Sequence, residues 1–241
     1  MKEQFEIEYK VTSYDVDASQ KLKYSMILKL LQETAGCQLE SLNLNYEYLR
    51  LQGAAFLLTK VTVAIHRLPT SGEKITAQTW FYGLKGAQFI RHFRLKASDG
   101  STLVECESLW ITVNPETHRV LRPSTFPFKE ILKPFDGDCV IMPANIAENT
   151  QTPQISKSFS REVRYSDIDC NNHMNNAVYA DIICDYFPEG IAGKSLISFS
   201  ISYQGEARER DIITLIVTDF GDLVNFEGKI GEKRCFEAVA N

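Results

Sequence analysis

The sequence predicts an α+β protein made of two tandem copies of one unit, each a long helix packed on a curved antiparallel sheet. The order of a strand, a helix and several further strands occurs twice along the 241 residues. Apolar and polar side chains alternate in the strand segments, which is typical of a sheet with one buried face. A proline-rich stretch separates the two series, so we predict copies at 1–128 and 155–241 joined by a linker at 129–154.

The first copy begins with an alternating segment at 1–9, which predicts a strand and not a signal peptide. Apolar side chains at helical spacing predict a helix over 22–42. Alternating segments then predict four long antiparallel strands, which lie at 61–65, 75–80, 89–95 and 103–113.

The second copy repeats this order. A strand at 159–165 leads into a cluster of polar residues, and a helix at 177–187 stops at Pro188. Four further alternating segments predict the remaining strands, at 197–203, 212–217, 223–230 and 234–239.

The two copies are offset by about 152 positions at the helix entrance, the separation between Asp15 and Asp167. A repeat of this size indicates duplication of a whole unit. A long helix on a strongly curved antiparallel sheet is the hot dog arrangement. A lone copy leaves a sheet edge open, and two copies side by side close it by merging their sheets. We therefore predict a tandem (double) hot dog fold with merged sheets.

The composition is that of an ordinary globular protein, with 44% hydrophobic and 24% charged residues. The net charge of −5 argues against a nucleic-acid surface. No stretch approaches the ~20 apolar residues of a membrane span. The six cysteines show no regular spacing and no Cys-x-x-Cys pair. This pattern favours reduced thiols in a cytoplasm and disfavours a zinc site.

The segment 165–176 is the candidate for chemistry, because it holds two carboxylates, an imidazole and four side-chain amides. At the same offset, Lys21 lies opposite His173 and Ser19 lies opposite Asn171. A helix cap needs only one short polar residue. The excess of polar groups in the second copy therefore indicates a functional site.

Three alternatives compete with this interpretation. The simplest is an Asx-rich turn with a helix cap. A calcium loop fails because Asn172 stands where the turn needs glycine and Val178 stands where a bidentate glutamate is needed. A Cys170 nucleophile is disfavoured because alternation in an extended segment would place Cys170 on the side opposite His173. We expect a structural role for Cys170 and no metal.

A carboxylate is also expected to enter the site from the end of a strand. Sequence spacing does not decide whether Glu206 or Glu209 points inward.

Three motifs resemble the acyl-ACP thioesterase family. The run 169–176 resembles its signature, in which Asp, Asn and His alternate before a paired Asn. The segment 30–35 resembles its opening helix, and 203–206 resembles its Tyr-x-x-Glu strand end. The similarity runs from about residue 5 to the C-terminus.

The resemblance implies hydrolysis of fatty acyl-ACP to free fatty acid and holo-ACP, which terminates fatty-acid synthesis. It implies Asp169, Asn171, His173 and Glu206 as catalytic residues, with no cofactor and no metal. Some members have a cysteine after the glutamate, and this chain has Ala207 there, so a thiol mechanism at that position is excluded. Plant members carry a plastid transit segment that this sequence does not show, which implies a bacterial-type, cytoplasmic enzyme.

The expected mechanism uses the carboxylate and the imidazole. Glu206, with His173, would position and deprotonate a water, since an ordinary imidazole titrates near neutral pH. Asn171 would orient the water or the carbonyl. Asp169 would either hold His173 or attack the carbonyl itself to form an anhydride. The N–H groups of a helix starting near Asn175 would bind the oxyanion.

The expected partner is an acyl carrier protein with a phosphopantetheine-linked acyl chain, with neither nucleic acid nor a membrane, and the protein itself is a monomer or a homodimer. By analogy, the first copy would hold the acyl chain on an apolar face formed by Ile27, Leu30, Leu31, Phe56, Leu58 and Trp80. The carrier is acidic, so a basic rim is required. The available cations are Arg91, Arg94, Lys96, Arg119, Arg122, Arg161, Arg164, Arg208 and Arg210.

Two other functions remain open at this point. The first is hydrolysis of acyl-CoA in place of acyl-ACP. The second is a non-catalytic acyl-binding protein of the same fold, which the presence of both His173 and Glu206 disfavours. A hot dog dehydratase is a more remote alternative.

Overall fold

The computed structural model describes residues 4–126, 128, 133–135, 153–192 and 194–241. The chain divides into two compact units, Met1–Met142 and Pro143–Asn241. Most of the predicted linker at 129–154, with Cys139, lies outside the described residues.

The first unit is an antiparallel sheet with one long helix, as predicted. Its elements are β1 (Phe5–Lys10), α1 (Tyr24–Ser41), α2 (Tyr46–Leu51), β2 (Ala55–Ile65), β3 (Lys74–Lys85), β4 (Gln88–Ala97), β5 (Thr102–Val113) and β6 (Val120–Leu121). The strand order is β1-β3-β4-β5-β2, every neighbouring pair is antiparallel, and the short β6 pairs with β5.

Helix α1 forms because its apolar residues recur at helical spacing. Ile27, Leu30, Leu31 and Thr34 are all buried, and α1 packs against β1 and β3. The prediction missed α2, although its sequence contains a start signal. The Asn45 side chain accepts the Tyr48 N–H at 2.8 Å, which is the bond of an N-cap residue.

The second unit repeats the plan with a shorter helix. Its elements are β7 (Ile155–Glu162), a 3-10 turn (Tyr165–Asp167), α3 (Val178–Asp185), β8 (Ser198–Tyr203), β9 (Ile212–Asp219), β10 (Val224–Ile230) and β11 (Lys233–Ala240). The strand order is β8-β11-β10-β9-β7, all antiparallel. Helix α3 has only 8 residues, so the predicted long helix is wrong for this copy. Pro188 disfavours helical conformation in the residue before it.

Aromatic rings hold α3 on its sheet. The Tyr179 ring packs edge-on against Phe236 with centroids 4.8 Å apart, and against Tyr203 at 5.3 Å. The Tyr203 hydroxyl donates to the Asn176 carbonyl at 3.0 Å. The segment just before α3 is therefore attached to β8.

The duplication extends to individual hydrogen bonds. In the first unit the buried Asp15 carboxylate accepts the Thr12 N–H at 2.7 Å. In the second unit the buried Asp167 carboxylate accepts the Arg164 N–H at 2.8 Å. Each bond spans three residues, and the two lie at the predicted offset. The same local sequence pattern therefore folds the same way twice.

Acid is expected to destabilise the first unit through Asp15. Burial raises the pKa of Asp15, but hydrogen bonds from Thr12 and Tyr9 outweigh it and hold the pKa below its ordinary 3.8. A carboxyl whose pKa falls on folding stabilises fully above the unfolded value and loses that contribution as the pH drops through the folded one. We expect Asp15→Asn to lower the urea midpoint at pH 7 and to flatten its further fall between about pH 5 and 2.

The exposed Asp222→Asn is the control for the loss of one carboxylate. Its midpoint is expected to follow that of the unsubstituted protein at every pH. If the urea midpoint of Asp15→Asn fell with pH in parallel with that of the unsubstituted protein, the stabilising role of the Asp15 carboxylate would be contradicted.

Candidate functional site

The loop at 169–173 is a tight turn that links the two residues of an isolated bridge, Ile168 and Met174. The Asp169 N–H donates to the His173 carbonyl at 2.9 Å, which closes the turn. Asn172 adopts a φ of 64°, a left-handed conformation that asparagine tolerates better than most residues. The prediction of an extended segment here is wrong, because local turn chemistry overrides the alternation.

The loop is anchored at both ends. The Arg161 guanidinium, on β7, donates to both oxygens of Asp167 at 3.0 and 2.9 Å. The carboxylate also accepts the Arg164 N–H. At the other end the Met174 N–H donates to the Ala207 carbonyl at 2.7 Å. The anchoring role of Arg161 was not predicted, and its only signal in the sequence is an arginine six residues before Asp167.

The second anchor brings the segment after β8 against the loop. His173 Nε2 lies 3.4 Å from Glu206 Oε2, and the two side chains are 31% and 39% exposed. This distance is longer than that of a strong hydrogen bond, and the exposure leaves both groups open to solvent. Sequence spacing could not decide between Glu206 and Glu209, and Glu206 is the one that faces the imidazole. The Arg208 guanidinium lies 3.3 Å from the same Glu206 oxygen.

Asp169 and Asn171 belong to the loop itself. Asp169 Oδ1 accepts the Asn171 N–H at 2.8 Å. Within the described residues no hydrogen bond joins the Asp169 carboxylate to the His173 ring. In the first unit Asp17 Oδ1 accepts the Ser19 N–H at the same distance of 2.8 Å. Asp17 and Asp169 thus make the same loop-shaping bond, one in each copy.

The anchor to the strand is also common to the two units. In the first unit the Leu22 N–H donates to the Pro69 carbonyl at 2.8 Å, and in the second the Met174 N–H donates to the Ala207 carbonyl at 2.7 Å. These paired bonds identify which residue of the first unit corresponds to each side chain near the loop.

The copies differ in the two side chains that meet. Lys21 corresponds to His173, and Leu68, just before the anchoring carbonyl, corresponds to Glu206. Leu68 is buried. The first unit therefore has the same loop frame, with no imidazole or carboxylate at these two positions.

The helix entrance differs from the prediction. Helix α3 begins at Val178, and the N–H groups of Ala177 and Val178 donate to the side chain and the carbonyl of Asn175, both at 2.9 Å. These N–H groups are therefore not available to an oxyanion. The Asn176 N–H has no hydrogen-bond partner in the described part of the chain.

The first unit contains an apolar cavity of ≈ 40 Å³, room for about three water-sized groups. It is lined by Ala35, Leu39, Phe56, Phe81, Phe89, Arg91 and Trp110. Of the predicted apolar face, only Phe56 lines it. The other five do not line it: Ile27, Leu30, Leu31 and Trp80 are buried in the core, and Leu58 is half-buried.

Three cations of the predicted basic rim are not available. Arg91 is buried, Arg94 pairs with Glu105 at 2.9 Å, and Arg161 pairs with Asp167. Lys96 is half-buried. The exposed members of the set are Arg119, Arg122, Arg164, Arg208 and Arg210.

The Cys170 side chain is exposed, and its expected structural role stays a prediction. Across the described ranges, no three His, Cys, Asp or Glu side chains are grouped so that they could hold a metal ion. Likewise, none of the helices found in those ranges has the length and apolarity to cross a membrane.

Two family matches together span most of the chain. The Acyl-ACP thioesterase N-terminal domain matches residues 2–126, and the Acyl-ACP thioesterase C-terminal domain matches residues 150–234. The chain belongs to the acyl-ACP thioesterase family. The resemblance inferred from the three motifs is therefore confirmed.

Relatives in this family are distant in sequence. A chloroplastic palmitoyl-acyl carrier protein thioesterase from Arabidopsis thaliana is 21% identical over 96% of this chain and 59% of its own length. A chloroplastic acyl-[acyl-carrier-protein] hydrolase, FATB1, from Cuphea viscosissima is 25% identical over 82% of this chain and 50% of its own length. The chain thus spans about half the length of the curated relatives it matches.

Solved structures of the family share the fold. An acyl-ACP thioesterase from Bacteroides thetaiotaomicron has a TM-score of 0.84 at 20% identity, covering 99% of this chain and 97% of that chain. The 12:0-ACP thioesterase from Umbellularia californica has a TM-score of 0.81 at 18% identity, covering 99% and 96%. The predicted tandem hot dog fold is confirmed.

Proposed function

We propose that this protein hydrolyses the thioester of fatty acyl-ACP, releasing free fatty acid and holo-ACP and so terminating fatty-acid synthesis. The observation that carries the proposal is the 3.4 Å approach of the His173 imidazole to the Glu206 carboxylate. The second copy has this pair, whereas the first copy has Lys21 and Leu68 at the corresponding positions. Family membership supports the same chemistry.

In the proposed reaction a water lies between Glu206 and His173. Glu206 accepts a proton from the water as the water oxygen forms a bond to the thioester carbonyl carbon. Glu206 passes this proton to the Nε2 of His173, which faces it. The C–S bond then breaks, and His173 gives the proton to the departing sulfur of the phosphopantetheine. The partial exposure of both side chains gives the water a route in.

The oxyanion needs a donor near the loop. The Asn176 N–H is the candidate, because it has no hydrogen-bond partner within the described residues, and the Asn171 side-chain amide is the second. Removing one such donor typically costs about 3 kcal/mol of transition-state stabilisation. Asp169 is proposed as a positioning residue, since its bond to the Asn171 N–H repeats that of Asp17.

Isotope labelling distinguishes this role from a nucleophilic Asp169. In a single turnover in ¹⁸O water, direct attack by water places the label in the fatty acid. An anhydride that water opens at the aspartyl carbonyl carbon places it in the Asp169 carboxylate instead. Label in the protein would overturn the positioning role.

The acyl chain is proposed to bind to the first unit, the domain at 1–128, with its end in the apolar cavity, while the domain at 155–241 supplies the reacting groups. Apart from Arg91, the residues that line the cavity are apolar, and each buried methylene adds about 0.8 kcal/mol of binding free energy. An apolar cavity of limited size would therefore provide both affinity and a limit on chain length.

Filling this cavity is expected to shorten the preferred chain. Ala35, on α1, lines the cavity, so Ala35→Leu would exclude the end of a long chain. We expect kcat/KM to fall about fourfold for each methylene excluded, with the longest substrates most affected. Gly36→Ala is the matched control, because a Cβ there meets nothing within 4 Å. An unchanged chain-length profile in Ala35→Leu would contradict the placement.

The function is tested by the release of free thiol from a panel of acyl-ACPs, compared with acyl-CoAs of equal chain length. The exposed cations near the site, Arg164, Arg208 and Arg210, favour an acidic carrier. Rates with acyl-ACP are then expected to be higher and to fall with added salt. Faster turnover of acyl-CoA would indicate an acyl-CoA thioesterase, and binding without turnover would indicate a non-catalytic acyl-binding protein.

A cytoplasmic location and a monomeric or homodimeric state stay predictions.

A further inference from the structure

Arg91 is a buried cation on the wall of the apolar cavity. It lies on β4 and is only 8% exposed. Its Nη1 donates to the Gln38 side-chain oxygen, on α1, and to Thr79 Oγ1, on β3, at 3.1 Å. The other groups that line the cavity are the apolar side chains of α1 and the sheet.

The guanidinium has no carboxylate partner. No ion pair joins Arg91 to any acid in the ranges that the structure describes, and burial alone lowers its pKa to about 10. The group is therefore still charged at neutral pH. The other two deeply placed arginines of the predicted rim each have an acid: Arg94 has Glu105 and Arg161 has Asp167. A buried charge without a counterion is costly, so this exception asks for an explanation.

The hydrogen-bonding capacity of Arg91 is also incompletely used. Both bonds found in the described residues come from Nη1, while a guanidinium also donates from Nη2 and Nε. An apolar cavity with a few unsatisfied polar groups is typical of a site that orients a ligand through one polar atom. A purely hydrocarbon chain would leave these donors as they are.

We infer that the cavity of the first unit binds acyl chains that carry an oxygen substituent, and that Arg91 recognises this oxygen. The shared chemistry is a hydrogen-bond acceptor on the chain, whether hydroxyl, keto or carboxylate. The inference rests on the proposed function for the identity of the substrate as an acyl chain. The binding step itself requires no hydrolysis.

The test measures binding, so that its failure is separate from failure of the proposed reaction. S-alkyl pantetheine thioethers are suitable probes, because they contain no thioester and carry pantetheine at the end where a free fatty acid has its carboxylate. One plain chain is compared with chains of equal length that bear a hydroxyl, a keto or a terminal carboxylate group at different positions. Titration calorimetry gives the affinities, and the fluorescence of Trp110, which lines the cavity, reports occupancy.

We expect the unsubstituted protein to bind at least one oxygen-bearing chain about 10- to 100-fold more tightly than the plain chain, the range of a hydrogen bond to a charged group. Arg91→Met is expected to remove this preference while it retains or improves binding of the plain chain. Arg91→Lys keeps the charge and is expected to retain part of the preference. Lys96→Met removes a cation from the same strand that does not line the cavity, and is expected to leave the preference unchanged.

Equal affinities for plain and oxygen-bearing chains in the unsubstituted protein would overturn the inference, even if Arg91→Met failed to fold. A folded Arg91→Met that kept the preference would overturn it as well. Loss of stability in Arg91→Met with no change in the ratio of affinities would assign Arg91 a structural role only. Hydrolysis of acyl-ACP without any oxygen preference in binding would leave the proposed function intact and remove only this inference.

Discussion

Glu206→Gln and His173→Ala are each expected to lower the rate of thioester hydrolysis by about 100- to 10,000-fold, the range of general acid–base catalysis. The amide of glutamine has nearly the shape of the carboxylate but cannot take a proton from water. Alanine removes the imidazole that would protonate the departing sulfur. Both effects are expected in kcat, measured with saturating acyl-ACP.

Neither change is expected to unfold the protein. His173 and Glu206 are 31% and 39% exposed, and exposed ion pairs contribute between about 0 and 1 kcal/mol. The urea midpoints and far-UV circular dichroism of both variants are therefore expected to match those of the unsubstituted protein. A loss of turnover that came with a loss of structure would not count as evidence for catalysis.

The duplication supplies matched controls. Lys21→Ala changes the position of the first unit that corresponds to His173, and Glu209→Gln changes the exposed acid three residues beyond Glu206. Both are expected to keep nearly full activity. Full activity in His173→Ala or in Glu206→Gln would refute the proposed mechanism.

Asp167→Ala is expected to lower the free energy of unfolding by about 3–5 kcal/mol, the usual cost of removing one partner of a buried ion pair. The side chains of Arg161 and Asp167 are only 17% and 11% exposed. The change would leave the guanidinium without its acid, and the Arg164 N–H without its acceptor. Urea denaturation followed by circular dichroism measures the loss.

The neighbouring surface pair is the control for this prediction. Arg164 and Glu162 lie 3.1 Å apart with side chains 69% and 37% exposed. Glu162→Ala is expected to cost less than about 1 kcal/mol. The double variant Arg161→Met with Asp167→Leu is expected to recover part of the loss, because it leaves no charge unpaired. A cost for Asp167→Ala no larger than that for Glu162→Ala would show that the anchor is not important for folding.

Several features of the fold are predictable because they depend on short stretches of chain. The helix expected over 22–42 is found at Tyr24–Ser41, since helical spacing of apolar residues requires no distant partner. The duplication is visible in the paired aspartates, and Asp15 and Asp167 make matching bonds. The short α2 was missed because its start signal, Asn45, precedes too few residues to show a period.

Other features escaped prediction because they depend on packing. The sequence contains nine plausible rim cations, and nothing local distinguishes the buried Arg91 from the exposed Arg119. The loop at 169–173 was expected to be extended, and hydrogen bonds within it make a turn instead. Likewise, the N–H groups of Ala177 and Val178, which were expected to bind the oxyanion, donate to Asn175 instead.

From residue order alone one obtains the tandem unit, the family, and the loop whose Asp, Asn and His mark the candidate site, because periodicity and short motifs are local properties of a chain. Folding was needed to select Glu206 over Glu209 as the partner of His173, and to place the charge of Arg91 beside the apolar cavity. These outcomes depend on contacts between segments far apart in the chain. The Met174 N–H bond to the Ala207 carbonyl is such a contact, and it brings the acid to the imidazole.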